Sequence, residues 1–117
     1  MEKSYEGGCH CGRVRFRALV DLDALSDCNC SMCTKKGIVH AIIAPEKFEL
    51  LSGRDALTTY TFNTGVAKHT FCKHCGILPF GEGTDPKGVA TAAINIRCLD
   101  NFEFEKVPVH KYDGKSA

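Results

Sequence analysis

The chain has 117 residues, a formal net charge of +1, and a composition that is 44% hydrophobic and 25% charged. That length accommodates one domain with a modest core, and the near-neutral charge leaves no electrostatic footprint for nucleic acid or anionic lipid. No window holds enough consecutive apolar residues to span a bilayer.

In chain order, Met1 to Glu6 is polar and charged, without the apolar stretch of a secretory signal, which predicts a cytoplasmic protein. Cys9-His10-Cys11-Gly12 follows. Val14, Phe16 and Ala18 then alternate with Arg13, Arg15 and Arg17, the period of a half-buried strand. Asp21 to Ser26 has the composition for one helical turn, and Ala44-Pro45-Glu46-Lys47 for another. Tyr60 and Phe62 alternate with threonines. Turn signals fall at Ser52-Gly53, Asn63-Thr64-Gly65, Gly81-Glu82-Gly83 and Asp85-Pro86-Lys87-Gly88. Ala90, Ala92, Ile94, Ile96 and Cys98 share one face of a late strand, opposite Thr91, Asn95 and Arg97, and Phe102 and Phe104 alternate beyond it. Helical periodicity is weak throughout. The pattern predicts a mainly β, mainly antiparallel fold, with residues 1–117 as a single domain.

Eight cysteines in a reducing compartment favour metal binding over disulfides. The pairs Cys9/Cys11 and Cys72/Cys75 can be grouped into one tetrahedral site. An extended segment turns residues i and i+2 the same way, so Cys9 and Cys11 can reach one ion together. Gly76 and Gly12, each directly after its pair, can take the positive φ of a tight turn. Such a site ties the start of the chain to its middle, and metal binding becomes folding free energy.

The run Asp27 to Lys35 places Cys28, Cys30 and Cys33 together, one ligand short of a closed site. Two readings stand. Cys98 completes a second four-cysteine site, or three thiolates leave an exchangeable position, as catalytic zinc requires. The apolar face on which Cys98 is expected makes it a small buried hydrophobe, which favours the open site. His10, His40, His69, His74 and His110 are further possible ligands, each alone in its segment or beside a better-placed cysteine. Three thiolates around a divalent cation leave about one net negative charge, a poor setting for making hydroxide and a natural one for a fourth, soft thiolate ligand. Thiol chemistry at carbon is the expectation.

Gly7-Gly8-Cys9-His10-Cys11-Gly12, Cys28-Asn29-Cys30-Ser31-Met32-Cys33 and Phe71-Cys72-Lys73-His74-Cys75-Gly76 resemble the glutathione-dependent formaldehyde-activating enzyme family, which also includes centromere protein V. Asn95 to Asp100 and Tyr112 to Ser116 resemble it as well, so the likeness covers essentially the whole chain. The resemblance implies an Mss-four-like fold of coiled antiparallel β-sheets stabilised by zinc. It implies two zinc ions per chain: a structural one on Cys9, Cys11, Cys72 and Cys75, and a second, catalytic one on Cys28, Cys30 and Cys33. The implied activity is that of a carbon–sulfur lyase acting on glutathione or another small thiol adduct, typified by S-hydroxymethylglutathione formation from formaldehyde and glutathione. His40 and Asn29 are candidate proton donors to the developing alkoxide. Arg97, Lys35 and Lys36 are candidates to meet the glutathione carboxylates, although exposed Lys and Arg are mostly solvated surface. Two other functions remain open: a methionine sulfoxide reductase-like enzyme using Cys98 as nucleophile, its pKa lowered by Arg97, and a non-catalytic module in which both zincs are structural.

Overall fold

The computed structural model describes residues 2–28, 30–102, 108–113 and 116. The expected alternation produces strands. β1 (Glu2–Gly8) and β2 (Arg15–Asp21) form a hairpin, and β3 (Leu25–Cys28) leads into a short helix, α1 (Ser31–Lys36). β4 (His40–Ile43), β5 (Phe48–Ser52) and β6 (Leu57–Tyr60) follow, then β7 (Lys68–Cys72), β8 (Phe80–Thr84), β9 (Ala90–Asn95) and β10 (Val109–Tyr112). Single 3-10 turns occupy Pro45–Lys47, Arg54–Ala56 and Ile96–Cys98.

The strands make a three-stranded sheet, β1-β2-β5, and a seven-stranded sheet, β10-β3-β4-β9-β8-β7-β6. The fold is mainly β, as the alternation predicts. Its pairs are antiparallel with one exception among the described strands: β10 runs parallel to β3. No helix among the described residues is long and apolar enough to cross a membrane.

The core lies between the sheets. Phe16, Ala18 and Val20 on β2 are fully buried, whereas Leu19 between them is 40% exposed. Ala41 and Ile43 of β4 and Ala92 and Ile94 of β9 meet them from the larger sheet. Phe48 spans the gap, with ring centroids 5.8 Å from Phe16 and 4.5 Å from Phe80. Each large apolar side chain withdrawn this way contributes about 1.5–3 kcal/mol. At the edge of the layer Gly7 forms a bridge to Leu99, and a Cβ on it would stand 2.2 Å from the Cys98 carbonyl oxygen. Only glycine lets the two backbones approach this closely.

Four local expectations are corrected. Asp21 to Ser26 is not helical: Asp21 ends β2, its carboxylate accepts the Asp23 N–H at 2.9 Å, and the chain turns into β3. That is an Asx-turn, which Asp favours over continuing a helix. Gly81-Glu82-Gly83 is the interior of β8 rather than a turn, because β7 and β9 pair with it on both sides. The late strand stops at Asn95, whose side chain accepts the Arg97 N–H at 3.2 Å and caps the 3-10 turn. Cys98 therefore leaves the strand face, and Ala90 at its other end is exposed. The sequence reading finds no helix at Ser31–Lys36, where one exists. Phe104 lies outside the described residues, while Asn63-Thr64-Gly65 and Asp85 to Gly88 turn as expected.

Candidate functional site

The eight thiols fall into two clusters and one separate residue. Cys9, Cys11, Cys72 and Cys75 have sulfurs mutually within 4.8 Å, and so do Cys28, Cys30 and Cys33.

In the first cluster, the Cys9 and Cys11 sulfurs are 3.6 Å apart and those of Cys11 and Cys72 are 3.7 Å apart. A tetrahedral zinc with sulfur bonds of about 2.3 Å sets its ligands about 3.8 Å apart, so this donor set fits such an ion. The geometry differs from the extended segment expected at Cys9–Cys11. A turn brings the two sulfurs together, closed by the Gly12 N–H on the Cys9 carbonyl at 3.3 Å, with Gly12 at φ 85°. Gly76 does the same at φ 81°, its N–H on the Cys72 carbonyl at 2.7 Å. Both glycines meet the positive-φ expectation. The backbone N–H of Arg13, and then its guanidinium, lower the Cys11 thiol to about 6. The Ile77 N–H lowers Cys75, while burial raises Cys72. Cys9 follows β1 in one sheet and Cys72 ends β7 in the other, so an ion here joins the two layers.

The second cluster is built by α1. Cys30 is its N-cap: the Cys30 sulfur accepts the Cys33 N–H at 3.4 Å, and the Cys28 sulfur accepts the Cys30 N–H at 3.4 Å. Cys33 is the buried residue of the helix, and Gly37 ends the helix in the left-handed region at φ 66°. Burial raises Cys28 and Cys33. Burial also opposes ionisation of Cys30, but the Cys33 N–H and the adjacent thiols outweigh it and lower that pKa. A bound cation would hold all three as thiolates. Three clustered soft donors fit a thiophilic metal, with one position to be filled.

His40 at the start of β4 adds to this site. Its Nε2 is 3.5 Å from the Cys33 sulfur, while its Nδ1 is buried without a hydrogen-bond partner. Burial, and then the proximity of His69, lower its pKa. His40 stands outside the set of donors mutually within 4.8 Å.

The cluster opens onto a cleft of about 650 Å³, within the range of small-molecule sites. Cys28, Cys30, Cys33, His40 and His69 all line it. Of the residues expected to meet a carboxylate, Arg97, Lys35 and Lys36 do not line it, and the Lys36 ammonium sits 5.3 Å over the Phe71 ring. Asn29 lies outside the described residues. His10, His74 and His110 are exposed.

Cys98 does not join the second cluster. Its sulfur donates to the Leu78 carbonyl at 3.8 Å, and burial, followed by the nearby Cys9 and Cys75, pushes its pKa up to about 12. That is the reverse of the activation a nucleophilic role requires.

Residues 4–113 match the family described as "Glutathione-dependent formaldehyde-activating enzyme". The chain belongs to this family. In the glutathione-dependent formaldehyde-activating family the chemistry named is that of a thiol and an aldehyde, which agrees at that level with an arrangement of soft donors beside a cleft. Among solved structures, the chain is similar to a Rhodobacter sphaeroides protein whose crystal structure is known. The two share 27% identity at a TM-score of 0.78, over 90% of this chain and 99% of that one.

Proposed function

We propose that this chain is a zinc enzyme that makes or breaks a carbon–sulfur bond in a small thiol adduct, and that residues 1–117 serve that function as one domain. What supports this most is that Cys28, Cys30 and Cys33 line the cleft and that Cys9, Cys11, Cys72 and Cys75 do not. In this reading the four-cysteine cluster holds a structural zinc and the three-cysteine cluster a catalytic one, two ions per chain.

A zinc ion at the second site supplies a Lewis acid that lowers the pKa of an incoming thiol and holds it as thiolate. The chain's own residues do the positioning. α1 and its Cys30 cap fix two of the three sulfurs relative to the cleft, and β3 fixes the third. With formaldehyde, the sulfur lone pair forms the S–C bond as the carbonyl π bond opens. The thiol's proton ends on the new alkoxide oxygen, so thiol plus aldehyde gives the hydroxymethyl thioether with no oxidant or reductant. His40, in the cleft and 3.5 Å from the Cys33 sulfur, is the residue we assign to carry that proton. The family's thiol is glutathione.

Exchange spectroscopy on labelled formaldehyde with a thiol tests the activity. Zinc-loaded protein should speed interconversion of aldehyde and adduct, and Cys30→Ser should not. Acceleration by neither protein, with any thiol, contradicts the proposal.

One observation favours a second reading. The approach of His40 to Cys33 allows a closed Cys3His site in a non-catalytic module. That reading requires His40→Ala to lose the second metal, whereas the open site keeps it and loses only proton transfer.

A further inference from the structure

His69 lies on β7, and its side chain lines the cleft. The registers place it in one row across the larger sheet: Tyr60 pairs with His69, His69 with Gly81, Gly81 with Ala93, and Ala93 with Ile42. Residues directly opposite one another on a sheet bring their side chains into contact on the same face. Gly81 has no side chain to lay over the imidazole, and Ala93 beyond it has only a methyl group. The edge of the His69 ring towards β8 is therefore left open to the cleft.

On its other side the ring is held. Tyr60, Phe62 and His69 stack in sequence, with centroids 5.9 and 5.4 Å apart and interplanar angles of 25° and 26°. The stack orients the imidazole without using its nitrogens, and among the described residues no hydrogen bond holds either of them. Burial, and then the Lys36 ammonium, lower the His69 pKa and favour the neutral ring. A neutral imidazole keeps one N–H to donate.

The reaction proposed above builds negative charge on the aldehyde oxygen as the S–C bond forms. A four-coordinate metal whose last position is filled by the thiol sulfur has none left for that oxygen. His40 stands against the Cys33 sulfur, on the metal's side of the cleft. The Lys68 ammonium is committed to the Gly65 carbonyl at 2.7 Å, and alternation along β7 sends Lys68 to the face opposite His69. His69 is the second imidazole of the cleft, near enough to His40 that charge on one opposes charge on the other.

We propose that His69 is a catalytic residue of the aldehyde–thiol reaction, donating its N–H to the carbonyl oxygen as that oxygen becomes an alkoxide. The π pair moves to oxygen, His40 delivers the thiol's proton there, and His69 keeps its own proton throughout. This rests on the carbon–sulfur reading of the cluster above.

The test follows formaldehyde and glutathione exchange in zinc-loaded His69→Phe and His69→Gln proteins. Phe keeps a ring to stack on Phe62 and removes the N–H, whereas the Gln amide restores a donor. His69→Phe should lose about 100-fold in kcat, the scale of one donor to a developing oxyanion, with metal content and the KM for glutathione near wild type. His69→Gln should recover at least about tenfold of that loss. Binding gives a separate readout: S-hydroxymethylglutathione should shift the His69 imidazole nitrogen resonances, and S-methylglutathione, which lacks the oxygen, should not. A His69→Phe protein with full metal content and wild-type kcat overturns the proposal, as do imidazole resonances unmoved by the hydroxymethyl adduct. Where His69→Phe fails to fold, His69→Met, a chain of Gln's length without a donor, takes its place, and equal rates for Gln and Met overturn the proposal. Wild-type protein that accelerates no exchange overturns the carbon–sulfur reading itself.

Discussion

Cys11 and Cys72 lie 61 positions apart in the chain, yet their sulfurs stand 3.7 Å from one another, joining the sheet of β1 to the sheet of β7. A metal ion held by this cluster would reinforce the small core between those sheets. Cys72→Ser should lose one metal ion per chain and destabilise the protein by more than about 3 kcal/mol, because binding to such a site is coupled to folding. Metal analysis with thermal denaturation checks this, and a variant melting like the wild type contradicts the structural assignment.

Cys98 is a half-buried thiol on a 3-10 turn, donating to the Leu78 carbonyl. Cys98→Ser should keep the metal content of both clusters and the rate of aldehyde–thiol exchange. Loss of sulfoxide reduction in a protein that shows such activity would revive the reductase reading.

Phe48 links Phe16 in one sheet to Phe80 in the other. Because Phe48 is only partly buried, Phe48→Ala should cost about 2–3 kcal/mol, below the full range for a core aromatic. Denaturant unfolding of metal-loaded protein measures it, and a change under about 0.5 kcal/mol contradicts the packing account.

The Arg15 guanidinium holds the Asp100 carboxyl below its ordinary value of 3.8, through paired hydrogen bonds. The folded pKa is the lower one, so the stabilisation is complete above the unfolded value and vanishes as pH falls through the folded value. The pair is solvent-exposed, so screening limits it to under about 1 kcal/mol. Asp100→Asn should melt lower than wild type at pH 6, and the difference in midpoint should shrink as pH falls below 3.8 and through the lowered folded pKa. A constant difference across that range contradicts the assignment to ionised Asp100.

The two cysteine clusters were legible because their spacing is local: Cys9/Cys11, Cys72/Cys75 and Cys28/Cys30/Cys33 each fall within a few positions. The strands were legible where one face is buried, as at Phe16, Ala18 and Val20. The helix was not, because six residues are too few to show a period and its N-cap is a cysteine rather than Ser, Asp or Asn. Lys35 and Lys36 followed by Gly37 were the available sign of its C-terminal end. Cys98 was misplaced because alternation at Ile94 and Ile96 continues in sequence past the point where Asn95 caps a turn. The cleft was illegible for a different reason. Its lining is drawn from β3, β4, β7, β8 and β9, and nothing near Gly81 in sequence announces Ala93 or Ile42 as neighbours.

The central claim is that the three-cysteine cluster holds a metal with one position open to a thiol. X-ray absorption at the second metal, in protein whose first site is loaded with a different metal, tests it directly. The account predicts three sulfurs and one lighter atom without thiol, becoming four sulfurs when thiol is added. Coordination that is already complete from the protein and unchanged by thiol would contradict it.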